Sequence, residues 1–157
     1  MDWIRPLLTS MLYGKHAHAA PKQVLGNLSP AIAKKKIQGY EKSAWELLYH
    51  MWYWQDMVIR AYKGDKEAES ANDSNSWPKP EDMDSDEKLG KLKEHFMNDL
   101  ECLTKLAQDE DLMKKFEAWS GSPLAHNLLI EIAHNSYHLG QIVVLLKAND
   151  AWPAASS

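Results

Sequence analysis

The chain has 157 residues, 45% of them hydrophobic and 25% charged, with a formal net charge of −4. Those values fit one globular domain over residues 1–157, large enough to bury a core, and argue against nucleic acid as a partner. A single cysteine, Cys102, excludes an intrachain disulfide and a thiolate metal cluster, and no apolar run approaches the ~20 residues of a membrane span. The N-terminus has no basic stretch followed by an apolar one, and Pro6 interrupts it early. Cytoplasmic is the expected location.

Four amphipathic segments follow one another, and none reads as a strand. In the first, Ile4, Leu7, Leu8, Met11 and Leu12 fall at helical spacing, with an end near Gly14. A loop with His16, His18 and Pro21 leads to a short helix opened by Ser29-Pro30, a cap followed by proline at the first helical position. Lys34-Lys35-Lys36 is a short basic run, read as a solvated helix face. The second segment opens at Ser43, whose spacing from Glu46 is that of a capping box. Its stripe is Leu47, Leu48, Met51, Val58, Ile59 and Tyr62, Trp45, Trp52 and Trp54 widen its apolar surface, and Gly64 stops it.

Residues 65–84 are rich in Ser, Asn, Asp, Glu and Pro, a polar connection that Trp77 is expected to pin to the body. The third segment opens near Ser85 and buries Leu89, Leu92, Phe96, Leu100, Leu103 and Leu106, with Lys88, Lys91, His95, Asn98 and Asp99 on the opposite face. Ser120-Gly121-Ser122-Pro123 breaks the chain and caps the fourth, which runs from about Pro123 to Lys147 and is apolar nearly all round. Residues 154–157 read as a frayed tail.

His134 and His138 stand four residues apart on this last segment. Side chains at that spacing lie one above the other on one face of a helix, so two imidazoles can share one divalent ion at about 2.0–2.1 Å each. A third ligand is needed. His126 lies eight residues before His134, roughly 12 Å along the axis, and cannot join. His95 falls on the polar face of the third segment, and nothing fixes His16 or His18. His50, within Leu47-Leu48-Tyr49-His50-Met51-Trp52, is embedded in apolar sequence. It lies roughly 10 Å into its helix, and His138 roughly 13 Å from the end of its own. Those depths match if the second and fourth helices are antiparallel. The second and third are then parallel, joined by a long crossover; residues 65–84 can reach roughly 66 Å against a helix of roughly 30 Å. The expected fold is an all-α four-helix bundle in up-down-down-up order.

The Trp-Glu-Leu-Leu-x-His stretch from Trp45 to His50, with His-Asn-x-Tyr-His-x-Gly-Gln-Ile from His134 to Ile142, resembles the DinB-like (YfiT-like) superfamily. Gly14-Lys15-His16-Ala17-His18 after the first helix extends the likeness over nearly the whole chain. The resemblance implies a four-helix bundle of the same uncommon order and a histidine triad, His50, His134 and His138, holding a divalent metal, usually zinc or nickel. It also implies a small-molecule substrate, with thiol S-transferase or isomerase chemistry on a low-molecular-weight thiol as the first expectation and metal-assisted hydrolysis next. Members often form homodimers, and no feature of this sequence by itself marks a dimer.

Three imidazoles leave at least one coordination position free, the pattern of a catalytic rather than a closed zinc site. Glu46 and Glu131 flank the expected ligands and are candidates to support them. For Glu46 the capping role is preferred, and for Glu131 an exposed helix position is the alternative. Asn135 and Gln141 are candidates to orient ligands, whereas Tyr137, Trp52 and Trp54 read as core. Cys102 has no base beside it and is not expected to act as a nucleophile. The alternatives to an enzyme are a structural or stress-related metal site, and a metal-free bundle acting as an interaction module.

Overall fold

The computed structural model describes residues 3–15 and 17–153. Its helices are α1 (Ile4–Leu12), α2 (Pro21–Gly26), α3 (Pro30–Ala33), α4 (Ala44–Tyr62), α5 (Asp86–Asp109) and α6 (Leu124–Ala148). Among the described residues there is no strand, only an isolated bridge between Lys115 and Pro123. The protein is all-α. No described helix is long and apolar enough to cross a membrane. His16 and the tail at 154–157 lie outside the described residues.

Local sequence explains the helix ends. Gly14, with φ +74°, stops α1, and a Cβ there would lie 2.5 Å from the His18 ring, so glycine is required both for its backbone and for its lack of a side chain. Ser29 accepts from the Ile32 N–H at the start of α3. At α4 the Ser43 hydroxyl accepts from the Glu46 N–H at 3.3 Å, and the Glu46 carboxylate accepts from the Ser43 N–H at 2.8 Å. At α5 the Ser85 hydroxyl accepts from the Lys88 N–H at 3.4 Å, a cap without the reciprocal carboxylate. The start of α6 differs from expectation. Its N-cap is Pro123, which has no side chain to cap with, and Ser122 instead pairs with Asn127. The loop after α1 is also more ordered than expected, since Pro21 opens the extra helix α2.

One core runs through the molecule. Leu8 and Leu12 of α1, Trp45, Leu48 and Met51 of α4, Phe96, Leu100 and Leu103 of α5, and Leu128, Leu139 and Ile142 of α6 are all essentially inaccessible. Helix α4 packs against both α5 and α6, and α1 closes over α5 and α6. Residues early in α4 face residues late in α6: Leu47 shares a cavity with His138 and Gln141, whereas Val58 shares one with His126 and Ile130. Against α5 the levels agree instead, Trp52 meeting His95 and the Tyr62 hydroxyl bonding Glu110. At the start of α1, Arg5 donates to the carbonyls of Ala107, Gln108 and Glu110, at the end of α5. Residues 65–84 connect α4 to α5 as three short 3-10 turns, Lys66–Ser70, Asp73–Asn75 and Pro80–Met83.

Asp99 is half-buried between α4 and α5 rather than on a free polar face. Burial, followed by the nearby Asp56 charge, pushes its carboxyl up to about 6. Folded protein thus keeps a proton that the unfolded chain has already lost between about pH 4 and 6, and stability from this group falls as pH rises through that window. Asp99→Asn should remove the dependence, so the urea midpoint of the variant should gain on wild type between pH 4 and pH 7. A difference that stays flat with pH would contradict it. Taking the difference also cancels His50, which shifts the opposite way.

Candidate metal centre

Helix α4 presents His50 about two turns after its cap Ser43, and α6 presents His134 and His138 on one face. The fold brings the three together. Ring centroids are 4.9 Å apart for His50–His134, 4.9 Å for His50–His138 and 4.5 Å for His134–His138. One nitrogen from each can be chosen so that all lie within 4.8 Å of one another, an arrangement that could hold a metal ion. Nitrogens around a tetrahedral ion lie roughly 3.4 Å apart, so no pair has more than about 1.4 Å to close.

The outer nitrogens decide which atoms face inward. Ser76 donates its hydroxyl proton to the Asp73 carbonyl at 2.7 Å, so its oxygen accepts from His50 Nδ1 at 2.7 Å. His138 Nδ1 lies 2.6 Å from Gln141 Oε1, an oxygen that can only accept. Both rings therefore carry their proton on Nδ1 and keep the Nε2 lone pair free, the tautomer that a metal ligand needs. His134 Nδ1 is buried without a hydrogen bond, and the nearest carboxylate oxygen, Glu131 Oε1, is 3.8 Å away and also unpartnered.

Burial, then the neighbouring imidazoles His134 and His138, push His50 down to about 4, and burial likewise lowers His138. Near pH 7 these rings are neutral, as ligands must be. Burial raises Glu131, which is only 2% exposed. Two neutral rings with committed tautomers, a third with an orphaned outer nitrogen and a carboxyl beside it fit a divalent ion.

Other expected roles divide. Glu131 is buried beside His134, not exposed, because α6 is enclosed on this side as well. Glu46 serves the α4 cap and pairs with Lys36 at 3.2 Å, away from the triad. Gln141 orients His138, whereas the Asn135 amide is buried with neither atom partnered. Tyr137 is not core but 65% exposed, its ring 5.0 Å from His138. Trp54 is half-buried and edge-on to His50 at 6.5 Å, at the site rather than in the core. His126 and His95 are exposed, and His18 is occupied with the Ala19 carbonyl.

The connection between α4 and α5 contributes what the sequence reading missed. Trp77 does pin it to the body, by stacking on His50 at 4.1 Å and 7° between planes, with the Lys42 ammonium over its other side. Ser76, next to it, is fully buried and fixes the His50 tautomer. The only signal was turn chemistry: the Asn72 side chain accepts from the Asn75 N–H and sets up the turn that carries Ser76. Ser76→Ala should weaken zinc binding roughly 10–100-fold, the usual cost of losing a group that orients a ligand, with the far-UV spectrum unchanged. Competitive titration with a chelating dye measures it, and wild-type affinity would contradict the role.

Two cavities flank the triad. One of about 420 Å³ is lined by Trp54, Val58, Trp119, Ile130, Glu131 and His134 among others. The second, about 490 Å³, reaches His138 and Gln141 and is bordered by Tyr40, Lys42, Trp77 and Tyr137.

A helical protein whose described residues gather three histidines from two long helices is defined by that triad. The chain belongs to the DinB superfamily, whose family profile matches residues 15–142. Comparison with curated proteins and with solved structures gives no significant match.

Proposed function

We propose that this DinB-superfamily protein is an up-down-down-up bundle that binds one divalent ion, zinc or nickel, through His50, His134 and His138, and uses it to activate a thiol or a water. The helix order is supported by the residue levels described above, with α4 level with α5 from end to end and reversed against α6. The observation that carries the metal reading is the shared Nδ1 protonation of His50 and His138, which leaves the Nε2 lone pair of each ring free within the cluster formed with His134. A divalent ion in that position supplies positive charge that lowers the pKa of a thiol or water brought to it.

The chain's own residues do the rest. Ser76 and Gln141 hold two rings in the ligating tautomer, Trp77 covers His50 from solvent, and Glu131 stands ready to take the His134 Nδ1 proton in a hydrogen bond. Thiol transfer is favoured over hydrolysis by the polar cavity beside His138, which has room for a low-molecular-weight thiol and offers Lys42, Tyr40 and Tyr137 to its polar groups. Protein purified from metal-replete cells should contain about one equivalent of zinc or nickel, and metal-loaded protein should transfer a small thiol to an electrophile. Absence of metal under those conditions would refute the reading.

A structural role for the metal is the second reading, favoured by one observation: His50 is tied to the crossover through Ser76 and Trp77 and would be tied to α6 through the ion. A chelator that lowers the melting temperature sharply supports it, and an unchanged melt supports the activating role.

A further inference from the structure

The cavity on the His134 side differs in chemistry from the one on the His138 side. Trp54, Val58, Ala71, Trp119 and Ile130 give it an apolar wall with two indoles, and Ser122, His126 and Asn127 add neutral polar groups beside Glu131 and His134. No lysine or arginine lines it, and its one formally charged side chain is Glu131. That carboxyl is 2% exposed, and its Oε1 has no hydrogen-bond partner. A carboxyl oxygen buried in an apolar setting is costly to leave unmatched, and a carboxylate has about four lone-pair positions, more than His134 alone can use. The wall is also built under backbone constraint. Trp119 and Ser120 both have positive φ, at 53° and 59°, although neither is glycine. The Trp119 indole N–H is anchored on the Ala68 carbonyl at 3.0 Å. Consecutive left-handed residues cost energy and persist where the surroundings over-determine them, often at ligand sites.

A volume of about 420 Å³ lies within the ordinary range for small-molecule sites. An anion would meet the Glu131 carboxyl and no lysine or arginine on this wall, and a cation would find one carboxyl on an otherwise uncharged, mainly apolar surface. We propose that this cavity binds an uncharged, aromatic-bodied small molecule with one N–H or O–H group, the rings against Trp54, Trp119 and Ile130 and the donor on Glu131. The end of that molecule nearest His134 is the part presented for reaction; this last placement rests on the metal-centre reading above, whereas the binding itself does not.

N-phenyl-1-naphthylamine, which is neutral, aromatic and carries one N–H, is a fluorescent probe of that description. Titrated into zinc-loaded protein it should saturate near one equivalent. Ile130→Asp, at a position 54% exposed and so harmless to the fold, and Ala71→Phe, which fills the cavity, should each weaken it at least tenfold. Met113→Asp, at an exposed apolar residue elsewhere, should leave it unchanged. Diphenyl ether, which lacks the donor, should displace the probe about tenfold less well than diphenylamine, its matched N–H analogue. No saturable binding, or wild-type affinity in both cavity variants, would overturn the site, and equal displacement by the ether would overturn the role of Glu131. Zinc content read on the same samples separates the two readings. Bound zinc without bound probe rejects this inference alone, and bound probe without zinc rejects the metal centre alone.

Discussion

Replacing His50 by alanine should reduce bound zinc from about one equivalent to below a tenth, with affinity falling at least 100-fold. Removing a group that merely orients a ligand already costs about 10–100-fold, and a ligand itself must cost more. His50 is the only contribution of α4 to the cluster, so the variant leaves two nitrogens on a single helix and no link between helices. His138→Ala should behave alike, because it too removes a ring whose tautomer is committed. Neither change should unfold the apo protein: an imidazole replaced by methyl leaves a small void beside Trp77, while Trp45, Leu48 and Met51 keep α4 packed. Equilibrium dialysis with zinc checks the stoichiometry, and far-UV dichroism checks the fold. One full equivalent of zinc in either variant would remove that histidine from the ligand set.

The largest effect on stability should come from Phe96→Ala. Phe96 is 0% exposed in the middle of α5, the helix that packs along α4 and under α1. Truncating a buried phenyl group costs about 3–5 kcal/mol, part of it lost transfer energy and part the cavity left behind. For a chain of this size that lowers the melting temperature by roughly 6–20 °C. Since α5 supplies none of the three histidines, the folded fraction should still take up zinc stoichiometrically below its melting range. The two predictions therefore separate cleanly: one variant keeps its fold and loses metal, the other loses stability and keeps metal. A Phe96→Ala protein that melted with wild type would mean that the α4–α5 packing is not the main support of the bundle.

Much of this was legible in the sequence because it depends on short-range rules. Helix ends at Ser43, Gly64 and Ser85 follow from capping hydroxyls and a left-handed glycine, which act over three or four residues. The apolar stripes of α4 and α5 follow from a 3.6-residue period, and the His134/His138 pair follows from the same period. Even His50 could be matched to them in depth, since distance along a helix is a count of residues.

What failed were judgements about which side of a helix is covered. Periodicity states that a residue lies on a given face but not what lies opposite. Glu131 and Asp99 were open to reading as exposed, whereas Glu131 is buried and Asp99 half-buried. Tyr137 and Trp54 looked like core, and both stand at the edges of cavities beside the triad.

The sequence by itself determined the helices, their apolar faces and the three histidines, because each is set by spacing within one segment. Tertiary structure alone decided the second half of the site. Ser76 and Trp77 meet His50 across 26 and 27 positions of chain, through a polar connection with no periodic signal. Only when that connection is packed against α4 does a serine become the group that fixes an imidazole proton. The two unlike cavities on either side of the triad arise in the same way, from surfaces of separate segments that acquire a common chemistry only by packing together.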